Sequence, residues 1–231
     1  MIALKFAIAV VVAYLLGSIP FGKIVAHFYA NVDITKQGSG NIGGTNVLRM
    51  LGLGPAAIVI ICDLAKAFLS VILARYLMND GVVQFYWGFP PYGTGLQSMA
   101  EVSASMACML GHNWSAYSGF KGGKGVAAFF GGWIAMCPII VAVGALILVP
   151  TVIVTRQMSR GSILAALGTM IALMIITIFF NVTPVYLVYS VLAAAIIVFQ
   201  HRSNIVRLQK GTELKLEDDV WKGPKPGNGA K

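Results

Sequence analysis

A chain of 231 residues that is 58% hydrophobic and only 11% charged cannot be a soluble domain, because so short a chain cannot hide that much apolar surface. With a mean hydropathy of +0.80 it reads as an integral, all-α polytopic membrane protein. Its net charge of +9 sits in loops and tail. Cys62, Cys108 and Cys137 all fall in apolar runs without paired spacing, which excludes a disulfide framework and reads as packing.

Residues 1–28 form the first apolar span, too long for a signal-peptide core and without a convincing cleavage site. Near its exit Gly17-Ser18-Ile19-Pro20-Phe21-Gly22 predicts a kink at Pro20 and close helix approach at the small residues. A loop over 29–52 follows. It contains Gly38-Ser39-Gly40-Asn41-Ile42-Gly43-Gly44-Thr45-Asn46, bracketed by Lys36 and Arg49. The glycines permit φ > 0 and a concave row of N–H groups suited to an anion, and Ser39, Asn41, Thr45 and Asn46 add neutral hydrogen-bonding groups. The stretch also matches G-x-G-x-x-G, but it lacks the preceding strand that a dinucleotide site requires.

A second span, 53–78, carries Asp63 and Lys66 on one helical face. Charges at that depth must pair or face a polar interior. An internal structural pair is the preferred reading, and direct service to the site is the alternative. Residues 79–95, with Trp87 and Pro90-Pro91, read as an interfacial loop, and a weakly apolar third span over 96–110 holds Glu101. The second glycine-rich stretch follows: Gly111-His112-Asn113-Trp114, then Phe120-Lys121-Gly122-Gly123-Lys124-Gly125. An apolar helix starts directly behind it, so Lys121 and Lys124 should share their position with a helix N-terminus.

The run 126–154 is too long for one span, and Cys137-Pro138 marks the break between spans four and five. Arg156 and Arg160 flank Ser159 in a short connection. Spans six and seven cover 162–180 and 183–200. A segment containing His201, Asn204, Arg207 and Glu213 comes next, and residues 214–231 read as a polar, disordered tail. Residues 1–213 form one domain of seven transmembrane helices. Of the 17 Lys and Arg residues, 13 fall on the face that carries both glycine-rich loops and the tail. The positive-inside rule then puts the N-terminus outside, the C-terminus in the cytoplasm and the motif loops at the cytoplasmic face of the inner membrane.

No carboxylate pair suits acid–base work, no His/Cys/Glu cluster has metal-ligand spacing, and no H-x-x-x-x-D acyltransferase box is present. The loops suit two phosphate-bearing molecules, or one molecule with more than one phosphate.

These residues resemble the bacterial membrane glycerol-3-phosphate acyltransferases that use acyl phosphate as donor. The resemblance rests on Gly17 to Gly22, Gly38 to Asn46 with Arg49, Asp63 with Lys66, Gly111-His112-Asn113 with Phe120 to Gly125, and Asn204-Ile205, Arg207-Leu208 and Gly211-Thr212-Glu213. Five separated motifs in the right order cover most of the chain. Thr35 stands where the family usually has arginine, Gly44 where it has alanine, and Ser115 where it has proline. The resemblance implies acyl transfer from acyl phosphate to the 1-hydroxyl of glycerol 3-phosphate, giving lysophosphatidic acid and phosphate, with no cofactor, metal, nucleic acid or obligate protein partner. It implies catalytic roles for Ser39, Lys124, His201 and Asn204. Substrate binding falls to Gly38, Gly40, Asn41, Thr45, Asn46 and Arg49 in the first loop, and to His112, Asn113, Lys121, Gly122 and Gly123 in the second. Ser159, Arg207 and Glu213 complete the implied set. A carrier for small organic phosphates and a non-catalytic lipid-binding scaffold are the competing classes. The chain shows no inverted repeat, and its polar groups crowd one face instead of the midplane.

Overall fold

The computed structural model describes residues 1–79, 81, 95–180 and 182–216. Most of the interfacial loop after residue 79 and the tail beyond 216 lie outside the described residues. Ten helices make up the described chain: α1 (Ile2–Ser18), α2 (Phe21–Ala30), α3 (Gly44–Leu51), α4 (Leu53–Met78), α5 (Gly95–Asn113), α6 (Val126–Met136), α7 (Pro138–Thr155), α8 (Met158–Phe180), α9 (Pro184–Gln200) and α10 (Arg202–Gln209). Four stretches are long and apolar enough to cross a membrane: Ile2–Ala30 across the Pro20 break, α4, α7 and α8. A fifth appears if α9 and α10, which meet at a 60° bend, count as one.

The element borders follow from local chemistry. Pro20 separates α1 from α2 because proline cannot donate to the helical ladder. Cys137-Pro138 separates α6 from α7, with Pro138 at the first turn where its missing N–H costs nothing. Two expected boundaries differ. Gly111-His112-Asn113, expected in a loop, closes α5 as its last turn. Ser159, expected in a connection, lies in the first turn of α8.

The bundle is centred on α4 and α5, which pack against α1, α6 and α9. Small residues set the spacing. A Cβ on Gly17 would overlap the Cys108 carbonyl, and one on Gly111 would overlap the Tyr14 carbonyl, so α1 and α5 touch backbone to backbone. One on Gly131 would overlap the Leu64 carbonyl, fixing α6 against α4 in the same way. Aromatic rings fill the centre: Phe129 stacks on Tyr189 at 6.0 Å, and Trp133 meets Tyr189 edge-on at 5.3 Å.

Arg75, near the end of α4, is fully buried and paired with Glu101. Its Nε donates to Glu101 Oε1 at 2.7 Å and its Nη2 to Oε2 at 3.3 Å. Gln97 donates to Oε1 at 3.0 Å, and the Tyr186 hydroxyl donates to Oε2 at 2.8 Å. Glu101 thereby ties together α4, α5 and α9. Removing one partner leaves a bare buried charge, so Arg75→Ala should destabilise the bundle by about 3–5 kcal/mol. Arg75→Met with Glu101→Gln should recover most of that loss, as read by thermal unfolding in detergent. A double variant no more stable than Arg75→Ala would show that the charge pairing is not what matters.

Candidate active site

The first glycine-rich loop is organised by one side chain. Asn46, at the start of α3 and 1% exposed, accepts from the Ser39 N–H at 2.9 Å through Oδ1. Its Nδ2 donates to the carbonyls of Asn41 at 2.9 Å, Gln37 at 3.1 Å and Ile34 at 3.2 Å. Gly38 is needed twice over. Its φ is +54°, and a Cβ there would overlap Asn46 Oδ1. Gly40, φ +72°, turns the chain back so that its N–H donates to the Gln37 carbonyl at 2.9 Å. The loop therefore uses the N–H groups of Ser39 and Gly40 to hold its own shape. The anion-facing donors shift to the first turn of α3, where Gly44 and Thr45 have N–H groups without intrahelical partners. Asn41 Nδ2 donates to Ser39 Oγ at 3.4 Å, and among the described residues no histidine hydrogen-bonds to Ser39.

The second stretch is built differently from the nest that its glycines suggest. Gly123 N–H donates to the His112 carbonyl at 3.0 Å. A Cβ on Gly122 would overlap that carbonyl, and one on Gly123 would overlap His112 Nε2. Gly122 and Gly123 thus seat the loop on the last turn of α5 and stand off the cavity wall, as does Asn113. Lys121 points to solvent. Gly125, φ +82°, turns the chain into α6, and Lys124 beside it faces inward.

A cavity of about 320 Å³ opens among these elements. Of the residues named from sequence, Ser39, Asn41, Thr45, Asn46 and Arg49 line it from the first loop and α3. His112, Lys124, Ser159, His201, Asn204 and Glu213 line it from the other elements. Gly38, Gly40 and Arg207 stand behind the wall.

A chain of polar contacts crosses the cavity. Lys124 Nζ donates to Asn204 Oδ1 at 2.5 Å, and Asn204 Nδ2 donates to Glu213 Oε1 at 2.5 Å. The same oxygen accepts from Ser159 Oγ at 2.7 Å, and Arg207 Nε donates to Oε2 at 2.8 Å. Burial alone would raise the Glu213 carboxyl, but the hydrogen bonds from Asn204, Ser159 and Arg207 outweigh it and hold the group below its usual range. Desolvation lowers Lys124 from its ordinary value to about 8, against the pull of Glu213. Desolvation and the neighbouring Lys124 likewise lower His201 to about 4, which keeps it neutral near pH 7. His201 Nδ1 lies 2.8 Å from the Ile197 carbonyl. That contact assigns the proton to Nδ1 and leaves the Nε2 lone pair as an acceptor.

His201 and Asn204 were expected on one helix, three residues apart. Instead His201 sits at the 60° break, capping both α9 and α10, and Asn204 lies beyond it on α10. Both are buried.

Sequence reasoning missed three parts of the site. Arg49 donates to the carbonyls of Lys215 at 3.1 Å and Leu214 at 3.0 Å, and Leu216 N–H donates to the Arg156 carbonyl at 2.9 Å. The start of the expected tail is thus fastened to Arg49, which lines the cavity, and to the backbone ahead of α8. Asp63 and His112, both on the wall, share Lys66: its Nζ lies 2.8 Å from Asp63 Oδ1 and 2.9 Å from His112 Nδ1. Asp63 and Lys66 do pair, as read from their spacing, and His112 is the third member. The third part is apolar: Ile60, Leu64, Val126, Phe130, Leu148 and Met158 line the same cavity.

Comparisons with known proteins identify the family. Residues 7–211 match the model of the family described as glycerol-3-phosphate acyltransferase. The glycerol-3-phosphate acyltransferase of Desulforamulus reducens is 39% identical over 216 residues, covering 94% of this chain and 98% of the relative. Glycerol-3-phosphate acyltransferase 3 of Dehalococcoides mccartyi is 37% identical over 220 residues, covering 94% and 99%. The crystal structure of PlsY (YgiH), an integral membrane glycerol 3-phosphate acyltransferase in its glycerol 3-phosphate form, superposes with a TM-score of 0.77 at 31% identity, covering 91% of this chain and 94% of that one. Its lysophosphatidic acid form gives 0.76 over the same shares. The chain therefore belongs to the glycerol-3-phosphate acyltransferase family.

Proposed function

We propose that this protein transfers a fatty acyl group from acyl phosphate to the 1-hydroxyl of glycerol 3-phosphate, giving lysophosphatidic acid and inorganic phosphate, the first step of phospholipid synthesis. The observation that carries the reading is one cavity with two kinds of lining. Lys124, Arg49, Ser39, His201, Asn204 and the first turn of α3 supply polar groups, and Leu64, Phe130, Leu148 and their neighbours supply an apolar surface. Two phosphate-bearing substrates, one with a long hydrocarbon chain, match both kinds at once.

The chemistry asks mainly for positioning, since an acyl phosphate is already activated. Oxygen 1 of glycerol 3-phosphate attacks the acyl carbonyl carbon, and the new C–O bond forms as the bond to the phosphate oxygen breaks. Lys124 stabilises the developing oxyanion or a phosphate. The hydroxyl proton has two acceptors, the leaving phosphate and the unprotonated Nε2 of His201. Neither cysteine near a loop, Cys108 or Cys137, is placed as a nucleophile, because both are buried among apolar neighbours.

The membrane arrangement belongs to the same proposal: seven spans, with the N-terminus outside and the site at the cytoplasmic face of the inner membrane. The four long apolar stretches are joined by α5, whose polar residues are covered by α1, α4 and α9, and by α9. The seventh is α6, whose 11 residues rise only about 16 Å, short of an apolar layer about 30 Å thick. Its end at Cys137 is buried in the bundle, so the turn into α7 lies inside the layer without facing lipid.

Three outcomes are expected. Purified enzyme releases phosphate from acyl phosphate only when glycerol 3-phosphate is present, and Lys124→Ala loses about 10²–10³ in turnover; near-normal turnover in that variant removes Lys124 from the mechanism. Because the charged form of Lys124 exists below its value of about 8, kcat/KM should fall as pH rises through 8, and Lys124→Arg should move that fall to higher pH. Mass spectrometry after incubation with acyl phosphate alone should find no acyl adduct. An adduct on Ser39 that glycerol 3-phosphate discharges would replace direct transfer by an acyl-enzyme route.

A further inference from the structure

The apolar lining of the cavity includes one large aromatic side chain, Phe130. Along α6 the wall is made by Val126, Ala127 and Phe130, and the step from Val126 to Phe130 is about 6 Å. Phe130 is the last α6 residue on that wall. Leu64 of α4 and Leu148 of α7 line the same cavity. All three are apolar, so together they offer a surface suited to alkyl.

The Phe130 ring is held by a missing atom. One helical turn beyond Leu148, α7 carries the buried Gly144, and a Cβ built there would overlap Cε1 of Phe130 and lie 2.7 Å from its Cζ. The edge of the ring occupies the space that any other residue would fill. Two neighbouring groups are well anchored. Thr169 Cγ2 lies 3.1 Å from the same point, and the Thr169 hydroxyl is anchored to the Ala165 and Ala166 carbonyls at 2.8 and 3.0 Å. Phe129 meets the ring edge-on at 5.1 Å and is itself packed against Trp133 and Tyr189. Phe130 also lines the cavity, so the cavity is a direction open to the ring.

Resting on the acyltransferase reading above, we infer that Phe130, parked in the notch left by Gly144, gauges the acyl chain. The ring in the notch leaves room for hydrocarbon. The ring out of the notch shortens the apolar end at the depth where the first several carbons of the chain must pass. Phe130 is a specificity residue, well away from the phosphate-facing groups. Gly144 acts through it, as a positioning residue.

The inference separates two substitutions that a packing role would treat alike. Gly144→Ala drives the ring into the cavity and favours short chains, whereas Phe130→Ala empties that space and favours long ones. The experiment measures kcat/KM for saturated acyl phosphates from C8 to C18 at fixed glycerol 3-phosphate. The long-to-short ratio should fall at least about fivefold in Gly144→Ala and rise by as much in Phe130→Ala, modest against the 10–200-fold that one methylene commands in a hydrophobic pocket. In parallel, the rise in melting temperature caused by lysophosphatidic acids of the same lengths reads the apolar end whether or not acyl phosphate turns over. Wild-type enzyme inert toward every acyl phosphate would sink the proposed reaction and leave this second series to decide the gauge. If Gly144→Ala fails to fold, Phe130→Ala and Phe130→Leu carry the test alone. Unchanged length profiles in the Phe130 variants, by turnover and by melting, would reduce Phe130 to a packing residue.

Discussion

A charge placed at the middle of a bilayer costs about 2.5–3.5 kcal/mol on insertion scales, and the architecture of this bundle answers to that constraint. The buried cations each hold several elements together because each needs several acceptors. Lys66 reaches Asp63 on its own helix, His112 on the last turn of α5, and the Ile19 carbonyl at 3.2 Å beside the Pro20 break. It thereby ties three helices at the level of the cavity. Arg75 does the same for α4, α5 and α9 through Glu101 at the opposite end of α4. The helix that carries both cations is one of the two on which the bundle is centred.

The second consequence is a division of labour among the glycines. Those at Gly17, Gly111 and Gly131 remove side chains so that backbones meet, and those at Gly122 and Gly123 do the same for the loop over His112. Because the loop sits on α5 through Gly123 and His112, and His112 is tied to Lys66, the position of Lys124 descends from the buried charge cluster. The position of Lys124 is thus held by a cluster whose members, Lys66, Asp63 and His112, are themselves fixed by one another. That agrees with chemistry in which holding two anions in place supplies most of the rate.

Much of this was legible from residue pattern, and the exceptions have physical causes. The breaks at Pro20 and Pro138 and the start of α6 behind Lys124 followed from proline and glycine at fixed places. The Asp63–Lys66 pair followed from its spacing on one helical face. Arg75 and Glu101 were not paired in advance because they lie on different helices, and a buried ion pair leaves no periodic mark in either. The end of α5 was set three residues early because Gly111-His112-Asn113 reads as a loop until a close neighbour exists for its glycine. Asn46 looked like one more donor among several, yet its amide is taken up by four partners in its own loop. Composition announces that a side chain can hydrogen-bond and leaves open with what. The apolar wall was hidden for a similar reason: Phe130 and Leu148 are ordinary in a sequence with so many apolar residues.

Electrostatic balance at the polar end connects the fold to its proposed chemistry. Arg49 and Lys124 line the cavity there, with Arg207 behind the wall, and the nearby carboxylate of Glu213 already accepts from Arg207, Asn204 and Ser159. The excess positive charge is tolerable only beside solvent or an anion. Burial eases it by drawing Lys124 down to about 8 and by holding His201 neutral. An arriving phosphate supplies the missing negative charge and favours the protonated lysine, so binding itself strengthens the electrostatic clamp. Glu213, held by its three donors, fixes Asn204 with its oxygen toward Lys124, and this keeps the lysine aimed across the cavity before any anion arrives.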